Sequence, residues 1–435
     1  MSFKIIVGVL VVIALTLYIS YFNTAKVSIV VYKDISYELP MAFFVFGLFF
    51  LGALISTVIH SLKSYKKSIR NWRESAQSKK EKQIEESFSQ GLRALWEGRL
   101  KDAKSSFSAV LERHPDHVYA LIKLGDSYRL EGNYAEAIKL HLKARSIEGD
   151  TTLVLKSLES DYRQDNRKRE LAEILERLRK QDLTNLDPLI KLRDVVVEEE
   201  NWSKALTLQK EVIQTSRNAV SHEEEIRFLG IIQYEMANLL RGKGDFEAAI
   251  AEYRKSIKNY EKFLPSYLAL GETLMAIQNE TDAVKVWKSG FKSTGARVLL
   301  KRVENHYLER ERPSLAIEFY HEALSLTEND PYVSLLLGEL YLRLEMIDEA
   351  FKEFQRIEKD FQQLSEFHFL LGRIYQKSSQ TELAEQEFKA VFNAKGMMSM
   401  SYLCHHCLKR YRDWIARCPN CHRWNRVDLA PVVFG

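Results

Sequence analysis

Hydrophobic and polar positions divide the chain into two uncharged apolar runs followed by a long stretch of helical periodicity. The runs are Ile5–Tyr21 (IIVGVLVVIALTLYISY) and Met41–Ile59 (MAFFVFGLFFLGALISTVI). Each is close to the roughly 20 residues that cross a bilayer as a helix. A cleavable signal peptide is the alternative for the first run. It would call for a small-residue cleavage site and a soluble domain, and a second run follows instead. The pattern therefore predicts a two-span transmembrane hairpin over residues 1–62. Beyond it the apolar positions recur at helical spacing, and glycine and proline are scarce, at 18 and 8 residues of 435. That composition favours a folded, mainly helical protein of several units and disfavours an all-β or disordered one.

The helical stretch repeats. Gly91, Gly125, Glu159 and Arg193 are spaced by 34 residues, and Ala237 and Gly271 repeat the step after ten extra residues. Glu304, Gly338 and Gly372 continue it with one step of 33. Around these positions the same side chains return: Gly125, Tyr128 and Ala137 are matched by Gly338, Tyr341, Ala350 and Phe354, and by Gly372, Tyr375, Ala384 and Phe388. Small residues let two helices approach and the aromatic fills the gap to the next pair, so the units must stack to bury their faces. EGNYAEAIKL (Glu131–Leu140) and KGDFEAAIAEY (Lys243–Tyr253) each place a Gly-Asn or Gly-Asp turn before a second helix. The period and these residues resemble a tetratricopeptide repeat array of about nine units over residues 83–396. Its aromatic stripes are core, and such an array offers a groove for a protein segment. SHEEEIRFLG, in the extra segment between Ala219 and Tyr234, reads as a lengthened, solvated helix ahead of a docking site for a basic partner.

Charge orients these parts. The net charge of +4 combines about +6 over 60–82 and +5 over 402–426, so the array between them is net acidic. Lys63, Lys66, Lys67, Arg70, Arg73, Lys79, Lys80 and Lys82 follow the second apolar run, whereas the loop between the runs carries Lys26 and Lys33 against Asp34 and Glu38. By the positive-inside rule both termini face the cytoplasm. Residues 63–82 read as a basic juxtamembrane linker that also suits anionic headgroups. The basic ends give no argument for nucleic acid.

All four cysteines fall in the tail, in the predicted module 397–435: Cys404 and Cys407 form one C-x2-C pair, Cys418 and Cys421 the other, with ten residues between the pairs. Two such pairs bring four thiolates to one point, which suits tetrahedral metal coordination and predicts Cys404, Cys407, Cys418 and Cys421 as ligands of one ion. Disulfides are disfavoured in the reducing compartment that the charge pattern implies. Zinc and iron both remain open, because a four-thiolate site serves either. Leu408 and His422 stand where glycine commonly follows the second cysteine of a pair, which counts against the tight-turn geometry of the usual knuckle. His405, His406 and His422 are read as surface or outer groups. Trp414 and Trp424 are read as caps on a core too small to fold without metal; base stacking by these tryptophans with Arg410, Arg412 and Arg423 is the lesser alternative. No nucleotide-binding, serine-hydrolase or H-E-x-x-H motif occurs, and His114 and His117 of HPDH sit at a repeat junction, so no enzyme is predicted.

The hairpin resembles the lipopolysaccharide assembly protein A family, through Asn23, VSIVV at Val27–Val31, Pro40, Gly47 and Gly52. Anchor, basic linker, repeats and a terminal YLCHHC…RCPNCHRW follow the order of the lipopolysaccharide assembly protein B family, whose tail is a rubredoxin-like module. The expected fold is thus an all-α tetratricopeptide-repeat superhelix with a membrane hairpin and a small four-cysteine module. The resemblance implies a multi-pass inner-membrane adaptor, with repeats and module in contact. Such an adaptor presents the deacetylase that commits flux to lipid A to a membrane AAA+ protease. A general cell-envelope scaffold and an iron-based electron carrier are the alternatives, and self-association is left open.

Overall fold

The computed structural model describes residues 3–33, 35–216, 222–394 and 397–434. Asp34 and Ala219, and the side chains of Lys4, Lys63, Lys66 and Lys67, lie outside the described residues. The chain forms two compact units, Met1–Ser157 and Leu158–Gly435.

The first unit opens with α1 (Phe3–Phe22), then an antiparallel hairpin of β1 (Lys26–Tyr32) and β2 (Ile35–Pro40), with Lys26 opposite Pro40. The VSIVV segment forms β1, as its β-branched residues favour. Helix α2 then runs without a break from Met41 to Trp96, 56 residues. Pro40 stands just before it, where its missing N–H costs nothing. The residues Met41–Ile59 have a mean hydropathy of 2.5, long and apolar enough to cross a membrane. The following turns are rich in Lys, Arg, Glu and Gln, good helix formers that keep the helix going. Positions read as anchor, basic linker and first repeat thus share one helix. It stops at Gly98, whose φ of 74° belongs to the left-handed region.

The end of α2 and the helices that follow make nine helix pairs among the described residues, and each of the nine periodic positions lies in the first helix of its pair. The turns form as their chemistry dictates. Gly132 and Gly244 take φ near +81° and +82°. Asn133 and Asp245 behind them accept the backbone N–H of Glu136 and Ala248, at 3.3 and 3.1 Å. His117, one of the two junction histidines, is likewise a cap: its Nδ1 accepts the Ala120 N–H at 3.1 Å.

The periodic position packs on the residue sixteen places later, on the second helix of the same pair. A Cβ built on Gly91, Gly338 or Gly372 would stand 2.6 to 2.7 Å from the ring of Phe107, Phe354 or Phe388. Gly125 meets His141 and Gly271 meets Trp287 in the same way. At Arg193 and Glu304 the residue sixteen places later is polar, whereas Glu159 stands opposite the buried Leu175 and pairs with Arg163 and Lys191 instead. Arg193 donates to Gln209 at 2.8 Å and to Glu225 at 2.6 Å, and Glu304 accepts the Tyr320 hydroxyl and pairs with Arg343. Glu225 belongs to the helix His222–Gly242, so one carboxylate of the predicted acidic cluster is half-buried against Arg193, while Glu223 pairs with Arg227 at the surface.

The second unit ends in a three-stranded sheet of order β4–β3–β5, built from β3 (Met397–Cys404), β4 (Arg410–Tyr411) and β5 (Val427–Phe434). Both neighbours run antiparallel to β3, with Tyr411 opposite Tyr402 and Val427 opposite Cys404. The sheet lies against the repeats: β5 meets the helix Arg297–Glu309 and β3 the helix Ser365–Lys377. Leu429 is buried in the same core as those helices, with Tyr402 and Trp414 packed against it.

Candidate metal centre

Two turns of like geometry present the four thiols. In the first, the Cys404 N–H donates to the Lys409 carbonyl and the Leu408 N–H to the Cys404 carbonyl, at 2.9 and 2.8 Å. In the second, the Cys418 N–H donates to the Arg423 carbonyl and the His422 N–H to the Cys418 carbonyl, at 3.0 and 2.8 Å. Leu408 and His422 take φ of 57° and 55°. The turn that usually falls to glycine therefore forms with side chains present, at about 1–2 kcal/mol per residue.

The four Sγ atoms lie within 4.8 Å of one another. Across the turns Cys404 Sγ stands 3.8 Å from Cys421 Sγ and Cys407 Sγ 3.5 Å from Cys418 Sγ, and all four cysteines are free. Sulfurs about 2.3 Å from a central ion occupy a tetrahedron with edges of about 3.8 Å. The donor set therefore fits one four-thiolate ion, and the spacing is far beyond a disulfide bond of about 2.05 Å. Bound there, zinc would supply folding energy, and iron would add one-electron chemistry. Cys404 and Cys418 are buried while Cys407 and Cys421 are half-buried.

Electrostatics around the sulfurs are unequal. Burial alone would raise the Cys418 thiol, but hydrogen bonds from the Tyr411 hydroxyl and the N–H groups of Cys421 and Asn420 bring it down to about 6. The Arg423 N–H favours the Cys421 thiolate, yet burial and the neighbouring thiols push that group up to about 11. Tyr411 approaches Cys418 Sγ to 2.9 Å, and this contact lifts its hydroxyl to about 12. The phenol thus stays protonated and donates to the sulfur, an outer contact of the kind that orients metal ligands.

The other tail residues are placed as follows. His405, His406 and His422 are exposed and outside the sulfur cluster. Trp414 donates its indole N–H to the Val427 carbonyl at 3.0 Å. Trp424 meets the Tyr234 ring edge-on at 6.1 Å and carries the Arg417 guanidinium over its face at 5.2 Å. Both tryptophans are spent on packing against the array, Trp414 on the core of the later repeats and Trp424 on Tyr234.

Two residues that sequence reading missed join the module to the array. The helix Leu264–Ala276 starts after Phe263 and the helix Arg297–Glu309 after Ala296, and neither residue caps by its side chain. Asn425, held at a φ of 54°, accepts the Leu264 N–H at 3.1 Å and donates to the Lys262 carbonyl at 2.8 Å. The Asp428 carboxylate, raised above its usual range by burial, accepts the N–H of Val298. The module thus supplies the helix caps that the repeats lack. The missing caps are visible in the sequence; the residues that replace them, some 130 to 160 positions away, carry no local signal.

Family models match the N-terminal part and the repeats. A family model described as HemY protein N-terminus matches residues 26–125, from β1 into the second repeat. Tetratricopeptide repeat models match residues 120–151, 232–263 and 307–374. Anaphase-promoting complex subunit 7 of Arabidopsis thaliana is 24% identical over 302 residues, 67% of this chain and 50% of its own length. The chain therefore spans about half of that relative. Among solved structures, Naa15/Naa10 bound to HypK-THB aligns with a TM-score of 0.40 at 13% identity, covering 70% of this chain and 57% of that one. Yeast Tom70 aligns with a TM-score of 0.29 at 13% identity, covering 73% and 77%. The molecule is a tetratricopeptide-repeat protein with an apolar N-terminal helix and a C-terminal four-cysteine cluster.

Proposed function

We propose that this protein is a multi-pass inner-membrane adaptor that restrains lipopolysaccharide synthesis by presenting the committed-step lipid A deacetylase to a membrane AAA+ protease. Its parts are an anchor at 1–62, a basic linker at 63–82, a repeat array at 83–396 and a metal module at 397–435, with the array in the cytoplasm. The observation that carries the reading is the continuity of α2, which joins an apolar segment directly to a protein-binding array. Cys404, Cys407, Cys418 and Cys421 are the ligands of one zinc or iron ion. The module steadies the array through Asn425 and Asp428 and takes no part in chemistry.

Co-purification in mild detergent from the native organism, against a mock-tagged control, tests the adaptor. Enrichment of a membrane AAA+ protease together with a lipid A pathway enzyme is expected. Reproducible absence of both, with cell-wall or secretion machinery in their place, sinks the lipopolysaccharide role and leaves a general scaffold. Metal analysis with a visible spectrum tells iron from zinc. Replacing Cys404 and Cys407 by Ser is expected to release the ion and expose the tail to protease.

A further inference from the structure

A cleft of about 590 Å³ opens in the second unit between the helices Glu280–Thr294, Arg297–Glu309 and Pro313–Leu326. Its charged walls are uneven: Lys285, Lys288, Arg310 and Arg312 line it against one carboxylate, Glu280, which is already paired with Arg310. Lys285 is matched by Asp282 at 3.3 Å. Lys288 and Arg312 have no carboxylate partner among the described residues. The Lys288 ammonium instead lies over the rings of Phe319 and Tyr307, at 4.8 and 5.4 Å. Ring faces attract a cation but leave its hydrogen-bonding protons unspent. Such a surplus stands out in an array whose overall balance is acidic.

We propose that this cleft binds an acidic peptide segment, its carboxylates pairing with Lys288 and Arg312 and an apolar side chain resting on Val284, Tyr307 and Leu315. Charge complementarity selects the sign of the ligand and steers its approach. The apolar wall selects the peptide: Val284, Leu315 and the Tyr307 ring give a hydrated phosphate nothing to bind, whereas a segment mixing acidic and aliphatic residues covers them. The proposal rests on the adaptor reading and names the chemistry of one partner segment.

The test uses the full chain in detergent micelles and a short fluorescent peptide of Asp, Glu and Leu, followed by anisotropy. Binding is expected to weaken with salt and to fall about tenfold in the double variant Lys288→Gln and Arg312→Gln, whose thermal unfolding is checked alongside. Glu280→Gln frees Arg310 and is expected to tighten binding about twofold, a gain that misfolding cannot imitate. Unchanged affinity in the double variant overturns the proposal. So does displacement of the peptide by inorganic phosphate at matched ionic strength, which assigns the cleft to a small anion. Failure of peptide binding with cellular partners still co-purifying counts against the cleft alone. Peptide binding without those partners counts against the adaptor reading alone.

Discussion

The sixth and fourth repeats settle the contact between their two helices by opposite chemistry. In the sixth, Gly271 leaves room for Trp287, whose Nε1 would lie 2.0 Å from a Cβ at that position. In the fourth, Arg193 fills the same place and Gln209, sixteen residues on, has become polar to receive it. The seventh repeat follows the fourth, with Glu304 and Tyr320. The periodic position is thus a slot that tolerates either empty space under an aromatic or a polar group with a matched acceptor or donor. In the fourth and seventh repeats the two residues are matched to each other, while Glu159 of the third, opposite Leu175, finds its partners in Arg163 and Lys191.

The comparison breaks hardest at the polar slot. Arg193→Ala removes the cation from the half-buried Glu225, which keeps only its hydrogen bonds from Gln209, and is expected to cost about 3 kcal/mol, read as lost amide-exchange protection over 186–215. Replacing Arg193, Gln209 and Glu225 together by Met, Leu and Leu is expected to be near neutral; equal losses in both variants would refute the polar lock. At the empty slot, Gly338→Val drives a side chain into the Phe354 ring and is expected to cost about 1–3 kcal/mol. Trimming the ring with Phe354→Leu should recover most of that loss in a denaturant midpoint.

Smaller effects sharpen the picture where a helix start depends on the module. Asn425→Ala removes the borrowed cap of the sixth repeat and is expected to cost about 1–2 kcal/mol, with amide protection lost first at 264–267. The eighth repeat, capped by its own Asp330, should be untouched by that change. Smallest is a pH effect. Burial and the neighbouring Glu339 raise Glu366 to about 7, and burial raises Glu235 to about 6. For these two carboxyls the folded state holds its protons more tightly than the unfolded one, so their contribution to stability falls as pH rises from about 4.5 to 7. Glu366→Gln should flatten that slope; a slope unchanged from wild type would remove Glu366 as its source.

Much of this was legible in the sequence. The register of the repeats followed from Gly91 through Gly372 because each small residue recurs at the same point of a helix pair. The four sulfurs were legible because two C-x2-C pairs constrain one another. The absence of glycine at Leu408 and His422 counted against the tight turns, yet both residues adopt the left-handed region and both turns form. What stayed hidden were contacts between distant positions. Arg193 read only as a position of the repeat, and its partner Glu225 as part of a solvated acidic run. Tyr411, Asn425 and Asp428 each act on something that local pattern does not reveal: a sulfur in the other turn, and two helix starts in the array.

The unbroken run of α2 has a mechanical meaning. A helix turns about 100° per residue, so the 37 positions from His60 to Trp96 fix the rotational phase between the apolar segment and the first repeat. One inserted residue would swing the repeat by more than a quarter turn, whereas seven would bring it back to within about 20°. Helix α2 is a keyed shaft: whatever grips its apolar end also sets the direction in which the first repeat faces.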